Sequence, residues 1–341
     1  MAQEDGATPT IRTVARAAGV SIASVSRVLN GLTTNPDTIA RVRQAVQDVG
    51  YVPNSAAKSL KTSQTGQVAF AMENIGNAAY LAMVQAIQPV LRDAGYRLLL
   101  HSTDADVHDE IEVLRSLGQR YVDGLILCPL RVTDRHLEEL ARAQAPVVVI
   151  GLLPEGWPVD NVRIDSSPGV ALALQHLAER GRSRIALVNG PADTVPGAAR
   201  HRGYRVGLEQ IGQKEDPDLV AFGEFTVAGG AEAARSLLRQ PVPPDAFFAA
   251  NDHIALGVMQ AVREAGLEIP DDVAVVGMDD TDLASSAWPP LTSVSLRAKE
   301  RGRLAAELLL ERLADPSRPP QRRTVDPELV VRASSAAGHR R

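Results

Sequence analysis

Residues 10–31 read TIRTVARAAGVSIASVSRVLNG, and this stretch decides how the chain is organised. Its apolar residues recur at helical spacing in two blocks. The first block is Ile11, Val14, Ala15 and Ala18, and the second is Val25, Val28 and Leu29. Gly19 interrupts the pattern between the blocks, and Ser21 is a favourable N-cap for a second helix. The stretch therefore predicts two short helices joined by a tight turn.

Small residues in the first helix allow the two helices to cross closely. Ala15 and Gly19 are placed where the helices meet, which is typical of a helix-turn-helix unit. The second helix then exposes a face that suits the major groove of DNA, formed by Ile22, Ala23 and Arg27. Short polar residues that could hold phosphate oxygens flank this face, namely Ser21, Ser24, Ser26 and Asn30. An ordinary two-helix corner of a larger α domain is the alternative.

A third helix is predicted directly afterwards. Asn35 can cap this helix, and Pro36 can occupy its first turn. Its apolar stripe consists of Ile39, Val42, Val46 and Val49. Gly50 ends the pattern. Three short helices of this kind enclose only a small core, which is more secure when it is tied to a larger domain.

Residues 50–62 read GYVPNSAAKSLKT and predict one further short helix. Asn54 could cap it, and Ala57 and Leu60 would lie on its apolar side. A helix this short does not persist in water alone. It therefore needs a partner helix and a surface to lie on.

At these motifs the chain resembles the LacI/GalR family of bacterial transcription repressors. The matching pattern is TIRTVARAAGVS, then VSRVLNG, then GYVPNSAAKSLKT. The resemblance implies that the exposed face of the second helix reads base edges, and that residues 54–60 form a hinge helix with Leu60 wedged into the minor groove. With the flanking polar residues, the predicted DNA contacts are Ser21, Ile22, Ala23, Ser24, Ser26, Arg27, Asn30, Asn54, Ala57, Lys58 and Leu60. The loop at 32–35 is one residue shorter than is usual in the family.

Charge separates the N-terminal segment from the rest of the chain. Residues 1–61 contain seven Lys or Arg against four Asp or Glu, a formal charge of +3. The whole chain of 341 residues carries −5, so residues 62–341 carry −8. We therefore expect the basic segment to meet a polyanion, and we expect the remainder not to be a nucleic-acid surface.

Cysteine content and hydropathy indicate the compartment. Cys128 is the single cysteine, which excludes an intramolecular disulfide, and we expect it to be a core thiol at the end of an apolar strand. The first ten residues, MAQEDGATPT, are polar and acidic, unlike a signal peptide. No apolar run approaches the length of a membrane span. We therefore expect a cytoplasmic protein without a membrane partner.

From Gln67 the chain alternates short apolar strands with amphipathic helices in two successive series. Continuous apolar strands are typical of parallel sheets that are covered on both faces. The predicted strands are 68–72, 97–100, 124–128, 147–150 and 163–164 in the first series, and 185–188, 219–221, 246–249 and 273–276 in the second. After them come a stretch at 291–295, a helix near 300–313 and further short strands.

These elements predict an α/β fold class: an N-terminal all-α helix-turn-helix headpiece with a hinge helix, followed by two doubly wound α/β subdomains. The family resemblance implies that the two subdomains form a periplasmic-binding-protein-like core. The predicted segments are the headpiece at 1–53, the hinge helix and linker at 54–66, the core at 67–333 and a loose tail at 334–341. Within the core, lobe 1 is predicted at about 67–162 and 293–322, and lobe 2 at about 163–292 and 323–333.

Polar residues that follow the predicted strands form a candidate ligand site, because ligands of open α/β sheets lie beyond the carboxyl ends of the strands. The predicted effector contacts are Asn74, Asn77, Tyr80, Asp104, Asp165, Arg200, Phe225, Asn251 and Asp279. These donors and acceptors with an aromatic ring suit a hydroxyl-rich ligand such as a saccharide, polyol or nucleoside. The resemblance implies the effector-contacting role for Arg200, Phe225, Asn251 and Asp279. It also implies that Asp165 lines the cleft. Helix capping is the alternative for Asn251.

The loop after the first strand departs from the family pattern. Many relatives carry an Asp and then Asn-Pro-Phe-Phe, whereas this chain reads MENIGNAAYLA at 72–82. Ala78 and Ala79 replace two rings, and Tyr80 alone retains one. The departure predicts a ligand larger than a monosaccharide, or one with fewer stacking contacts. Leu296 also stands where relatives often carry a polar residue.

Signatures of other function classes are missing from the sequence. It contains no GxGxxG after the first strand, no GxxxxGK[ST], and no Cys or His cluster with metal-ligand spacing, so we expect no cofactor, no metal and no enzyme. The sequence predicts a transcription regulator, and favours a repressor, that binds a palindromic DNA operator as a homodimer, with a tetramer also open. A small sugar-like effector would control it. The alternative is a solute-binding protein of the same core fold without DNA function.

Overall fold

The computed structural model describes residues 9–32, 35–52 and 64–336. The chain divides into two units, residues 1–65 and 66–341. The first unit contains α1 (Ile11–Ala18), α2 (Ile22–Leu29) and α3 (Pro36–Asp48), as the apolar spacing predicts. These helices enclose a small core of Val14, Ala15, Ala18, Val25, Val42 and Ala45.

Local hydrogen bonds set the ends of these three helices. Ser21 Oγ accepts from the Ser24 amide at 3.0 Å, and Asn35 Oδ1 accepts from the Thr38 amide at 3.0 Å. Gly19 ends α1 with φ of 61°, a left-handed conformation that favours glycine. The chain's own side chains and this glycine therefore define the turn between α1 and α2.

The second unit is built on two six-stranded sheets. The strands are β1 (Gln67–Met72), β2 (Arg97–Ser102), β3 (Gly124–Cys128), β4 (Val147–Ile150), β5 (Asp160–Arg163), β6 (Ile185–Asn189), β7 (Val220–Phe222), β8 (Ala246–Ala249), β9 (Ala274–Met278), β10 (Thr292–Ser295), β11 (Arg322–Thr324) and β12 (Glu328–Val330). The helices are α4 (Ala78–Asp93), α5 (Val107–Ser116), α6 (Asp134–Arg142), α7 (Ser167–Glu179), α8 (Val195–Gln210), α9 (Val227–Leu238), α10 (Asp252–Glu264), α11 (Asp282–Ser286) and α12 (Ala298–Ala314). Short 3₁₀ turns lie at Leu117–Gln119 and Pro217–Leu219.

The two sheets define two lobes. Lobe 1 has the strand order β11-β5-β4-β3-β1-β2, and lobe 2 has the order β12-β10-β9-β8-β6-β7. All pairs are parallel except β10 with β12. Strands β3, β4, β8 and β9 are buried throughout because helices cover both faces, as expected for continuous apolar runs.

The chain passes between the lobes after β5, after β10 and after β11. The sequence analysis assigns 293–322 to lobe 1, but β10 (Thr292–Ser295) lies in the sheet of lobe 2. It likewise starts the last segment of lobe 2 at 323, whereas β11 (Arg322–Thr324) belongs to lobe 1. The strand expected at 163–164 is β5 (Asp160–Arg163). Polar residues inside β10 and β11 gave no indication of the sheet that each strand joins; Thr292 and Ser293, for example, are fully buried.

The end of the chain also differs from expectation. Ser334, predicted to begin a loose tail, is fully buried. Its hydroxyl donates to the Val275 carbonyl at 2.6 Å and accepts from the Thr292 amide at 2.8 Å. The packed part of the chain therefore extends at least to Ser335, which is also buried. Within the described residues, no helix combines the length and the apolar character needed to cross a membrane.

Candidate functional site

One face of α2 carries the three predicted base-reading side chains. Ile22 is 45% exposed, and Ala23 and Arg27 are exposed as well. Ala23 and Arg27 lie four residues apart and therefore on the same side of the helix. Val25, between them in sequence, faces the core and is fully buried. One side of the helix thus packs in the core, and another side is exposed. An exposed helix face of this kind fits the major groove of DNA.

The polar residues around this face form hydrogen bonds at the ends of α2. The Ser21 and Ser24 hydroxyls lie 2.9 Å apart, and Ser21 also caps the helix. Asn30 Nδ2 donates to the Ser26 carbonyl at 2.7 Å and lies 3.4 Å from the Ser26 hydroxyl. These bonds fix the four side chains close to the exposed face, so their positions are compatible with phosphate contacts.

The charge of the headpiece is positive over its described part. Residues 9–32 and 35–52 contain five Arg against two Asp. The predicted hinge contacts lie outside the described residues: they are Asn54, Ala57, Lys58 and Leu60. The hinge helix therefore stays a prediction from the sequence.

A second site lies between the two lobes of the core, at the carboxyl ends of their strands. The structure places six of the nine predicted effector residues around one cavity of about 110 Å³. They are Asn77, Tyr80, Arg200, Phe225, Asn251 and Asp279. Asn77 and Tyr80 come from lobe 1 and the other four from lobe 2. A ligand in this cavity would contact both lobes.

Three predicted residues lie outside the cavity lining, because each one bonds locally. Asn74 is exposed, and its side chain accepts from the Gly76 amide at 2.7 Å. Asp104 is also exposed and accepts from the Ser102 hydroxyl at 3.2 Å. Asp165 accepts from the Ser167 amide at 2.9 Å and pairs with Arg202 at 3.3 Å. Short polar side chains after a strand often make such turn bonds instead of facing a ligand.

Arg200 is the centre of the polar side of the cavity. Its Nη2 lies 3.7 Å from Asp279 Oδ1, and its guanidinium lies 5.5 Å from the centre of the Phe225 ring. Its Nε donates to the Met278 sulfur at 3.2 Å. Burial lowers the pKa of Arg200 and raises the pKa of Asp279, and the attraction between the two charges opposes both changes. The cavity thus holds a desolvated cation with an adjacent acceptor and ring.

Gly190 provides the space that Phe225 occupies. A Cβ atom at Gly190 would lie 2.1 Å from the tip of the Phe225 ring, so no larger residue fits while the ring stays in place. Asn189 fixes the same loop, because its side chain donates to the Gly197 carbonyl at 2.9 Å. The loop after β6 therefore holds the aromatic side of the cavity.

Two cavity-lining asparagines also cap helices. Asn77 Oδ1 accepts from the Ala79 amide at 3.0 Å at the start of α4. Asn251 Oδ1 accepts from the Ile254 amide at 2.8 Å at the start of α10. The capping alternative for Asn251 is therefore correct, yet the residue also lines the cavity. Capping uses the oxygen and leaves the Nδ2 donors of the amide for a ligand.

The loop that carries Asp279 has an unusual backbone. Asp279 and Asp280 have φ of 102° and 52°, values that non-glycine residues rarely adopt. Asp252 fixes this loop by hydrogen bonds. Its carboxyl group accepts from the Thr281 amide and hydroxyl, each at 2.7 Å, and from the Ser293 hydroxyl at 2.6 Å. Asp252 therefore positions the loop that carries the cavity-lining carboxyl group of Asp279.

Two charged residues of the cavity lining, Glu73 and Arg301, are not among the predicted effector contacts. Glu73 follows β1, so its position at a strand end was a usable signal. Burial raises its pKa, while Arg200 and Arg131 oppose the shift. Arg301 lies in the first turn of α12, where no strand end points to it, and it is 5% exposed. The apolar part of the lining includes Leu296.

Direct contacts join the lobes beside the cavity. Arg131 of lobe 1 binds both carboxylate oxygens of Asp193 in lobe 2, at 2.8 and 3.2 Å. The Val195 amide donates to the Leu130 carbonyl at 2.9 Å, and both residues line the cavity. The lobes are therefore closed around the site. Among the described residues, no group of three or more His, Cys, Asp or Glu could hold a metal ion.

Comparison with known proteins agrees with this two-part organisation. Residues 10–54 match the family model of bacterial regulatory proteins of the lacI family, and residues 174–335 match that of a periplasmic binding protein-like domain. The chain is 35% identical over 328 residues to the ribose operon repressor of Escherichia coli K12, covering 96% of this chain and 99% of that protein. The chain belongs to the LacI family.

Other LacI-family proteins match over the same length. The HTH-type transcriptional regulator CelR of Thermobifida fusca is 37% identical, with 96% of this chain and 98% of that protein covered. The structure of a CelR–cellobiose complex matches with a TM-score of 0.73, at 35% identity over 96% of this chain and 99% of that chain. The lac repressor dimer bound to operator and the anti-inducer ONPF matches with a TM-score of 0.87, at 26% identity over 97% and 100%. These relatives are transcriptional regulators, and LacI-family membership identifies this chain as a DNA-binding regulator of transcription.

Proposed function

We propose that this chain is a repressor that binds a palindromic operator as a homodimer and is controlled by a small hydroxylated effector in the interlobe cavity. The observation that carries the proposal is the Arg200, Asp279 and Phe225 cluster, which lies between two lobes in the same chain as the exposed recognition face of α2. A regulator needs both a DNA-reading surface and a ligand-sensing one.

The DNA-reading function is assigned to the free face of α2. Arg27 can form a bidentate contact with guanine, whereas Ile22 and Ala23 can contact thymine methyl groups. Ser21, Ser24, Ser26 and Asn30 would bind phosphates and fix the register. Asn54, Ala57, Lys58 and Leu60 would form the hinge helix in the minor groove, where an inserted leucine kinks the duplex.

Exposed apolar residues on lobe 1 support a homodimer. Strand β2 lies at the edge of its sheet, and Leu99 and Leu100 on it are each 42% exposed. Leu81 on the neighbouring helix α4 is 49% exposed. An exposed apolar edge strand favours association with another chain. The matching lac repressor is a dimer on its operator, and a palindromic operator requires such two-fold symmetry.

The chemistry of the cavity supports a saccharide or nucleoside. Arg200 and the Asn251 amide supply donors, Asp279 supplies acceptors, and the Phe225 ring offers a flat face for the C–H side of a sugar ring. CelR was captured with cellobiose, a disaccharide. Ala79 lines this cavity in place of a ring, which fits either a ligand larger than one hexose or a ligand that makes fewer stacking contacts.

Control of DNA binding follows from closure. An effector that contacts both lobes binds the closed core more tightly than the open one, and this difference in affinity is the coupling free energy, typically ~1–3 kcal/mol. A change in lobe arrangement would separate or join the two hinge helices of the dimer. The headpieces alone would retain only weak, salt-sensitive phosphate contacts.

We further propose that the chain has no enzymatic activity and acts in the cytoplasm, where its operator DNA is. The alternative, a solute-binding protein of the same core fold, predicts ligand binding without affinity for duplex DNA. The matched family model at residues 10–54 favours the regulator.

Selection of bound DNA from a random duplex pool tests the proposal. The full chain should enrich a palindrome, and adding members of a sugar panel should change the yield. Arg27→Ala should weaken the enrichment, whereas Arg92→Ala, which changes an exposed arginine of the core, should not. Failure to enrich any palindrome at low salt would refute the proposed function.

A further inference from the structure

Arg301 carries a guanidinium inside the interlobe cavity that nothing in the described chain neutralises directly. The residue is 5% exposed, and its Nε is buried without a hydrogen-bond partner. Within the described residues, its side chain forms no ion pair, and Asp279 contributes only longer-range electrostatic attraction. An arginine remains protonated in proteins and presents five N–H donors.

Other arginines of this core have acidic partners where they are shielded from solvent. Arg312 donates to Asp160 at 2.8 Å, and Arg332 donates to Asp280 at 2.7 Å. Arg301 lies on the same helix as Arg312 but has no acidic partner of this kind among the described residues. A buried charge without a partner costs considerable free energy, so its retention at a cavity wall indicates that a partner arrives from outside.

The acidic residues of the cavity cannot fill this role for both guanidiniums. Asp279 lies 3.7 Å from Arg200 and is thus already engaged. Burial raises the pKa of Glu73 and so favours its neutral form, although the charges of Arg200 and Arg131 oppose this rise. Tyr80 and Cys128 are neutral near pH 7, because burial raises the pKa of both groups. The wall of the cavity around Arg301 is therefore electropositive.

We infer that the effector bears an oxyanion, a carboxylate or a phosphate on a hydroxylated body, and that Arg301 binds this oxyanion. The inference rests on the proposed role of the cavity as the effector site. The planar guanidinium matches either group with two parallel hydrogen bonds. The hydroxylated body would then lie against Arg200, Asp279 and Phe225. A sugar acid and a sugar phosphate share this chemistry, and the experiment separates them.

The test compares ligand-dependent melting of the full chain at constant ionic strength. The probes are glucose, glucuronate, glucose 6-phosphate and inorganic phosphate. We expect glucuronate or glucose 6-phosphate to raise the melting temperature of the wild type more than glucose does. The better of the two identifies the carboxylate or the phosphate. Inorganic phosphate, which lacks the sugar body, reports on the anion contact alone.

Variants assign the effect to Arg301. Arg301→Leu should weaken binding of the anionic probes by roughly 30-fold or more, the loss expected when one partner of a buried charged pair is removed. Arg301→Lys should recover part of this affinity because it keeps the charge. Arg303→Leu is the matched control: Arg303 lies two residues away, is 48% exposed and pairs with Glu307, so its removal should leave binding unchanged. Without ligand, Arg301→Leu should melt no lower than the wild type.

Three outcomes would overturn the inference. Glucose could stabilise the wild type as well as its anionic derivatives do. No anionic probe, inorganic phosphate included, could distinguish the wild type from Arg301→Leu. Both Arg301 variants could melt lower than the wild type without ligand and bind equally poorly, which would indicate a structural role. In each case selection of a palindromic duplex would still succeed, whereas failure of the proposed function would abolish that selection.

Discussion

Arg131 of lobe 1 and Asp193 of lobe 2 form a two-point ion pair across the gap between the lobes, with N–O distances of 2.8 and 3.2 Å. The hydrogen bond to Arg131 lowers the pKa of Asp193 below its usual value, so the pair is charged at neutral pH. Asp193 is 66% exposed, and the pair is therefore open to screening by salt. This ion pair joins the lobes in the closed core, together with the hydrogen bond from the Val195 amide to the Leu130 carbonyl.

Removing the Arg131–Asp193 ion pair should shift the core towards an open arrangement. We expect Asp193→Ala to increase the radius of gyration in small-angle X-ray scattering and to weaken effector binding a few-fold, because closure loses a contact that only the closed state makes. High salt should have the same effect on the wild type. The charge swap of Arg131→Asp with Asp193→Arg should restore closure. An unchanged scattering profile for Asp193→Ala would show that the pair does not hold the lobes together.

Arg27 should determine which DNA sequence is bound. Arg27→Ala should lose about 1–3 kcal/mol of preference for the selected operator over a scrambled duplex, while its non-specific affinity falls only slightly. Gel-shift titrations with both duplexes measure the two affinities. Arg43→Ala, an exposed arginine of α3, serves as the comparison. If the two affinities of Arg27→Ala fell by the same factor, Arg27 would be a phosphate contact and not a base contact.

Gly190→Ala should damage the effector site without affecting DNA binding. The added Cβ would lie 2.1 Å from the Phe225 ring, and the ring, which is only half-buried, must move away. The ligand then loses its stacking surface, and the contact between Phe225 and Arg200 is lost with it, a contact of the kind that contributes roughly 0.5–1 kcal/mol. Calorimetric titration should show the same weakening as Phe225→Ala. Wild-type effector affinity in Gly190→Ala would mean that the ring is not part of the site.

The buried carboxyl of Asp252 should make stability depend on pH. Burial, reinforced by Asp279, raises the pKa of Asp252 to about 7, although hydrogen bonds from Ser293 and Thr281 oppose the rise. An unfolded Asp titrates near pH 4, so between about pH 4 and 7 the native state holds a proton that the unfolded chain has released. This contribution to stability is fully present below about pH 4 and is lost as the pH rises through about 7.

Chemical denaturation from pH 5 to 8 measures this dependence. Relative to Asp252→Asn, which cannot titrate, the wild type should lose stability as the pH rises, by an amount on the order of a few kcal/mol. The comparison uses the slope against pH, so a constant difference between the two proteins does not matter. Parallel pH curves would mean that Asp252 is already ionised at pH 5 in the folded protein.

The sequence predicted much of the fold because each strand carries its own signal. The bounds of β3, β4 and β8 agree with the predicted runs, which are uninterrupted apolar segments. The lobes assigned to β10 and β11 were wrong because pairing partners far along the chain determine which sheet each strand joins, and the strands' own residues are polar. Thr292 and Arg322 belong to strands only because Val276 and Asn161 lie beside them.

The cavity was predictable to the extent that strand ends point to it. Asn251 and Asp279 follow this rule, whereas Arg200 lies within helix α8, eleven residues after the end of β6. Asn74, Asp104 and Asp165 also follow strands, but their side chains accept hydrogen bonds from neighbouring residues: the Gly76 amide, the Ser102 hydroxyl and the Ser167 amide. Arg301 comes from a helix that returns from the other lobe, so only the folded chain shows that it lines the cavity.

The three passages between the lobes lie side by side. Arg163 pairs with Thr324, and Ser295 pairs with Glu328, so the connecting segments leave their sheets as neighbours. Three adjacent tethers resist sliding and twisting and leave rotation about a single axis as the easiest movement. Substitutions in the tethers, at residues 164–166, 296–297 and 325–327, would consequently alter how strongly the regulator responds while leaving both its ligand and its operator recognised as before.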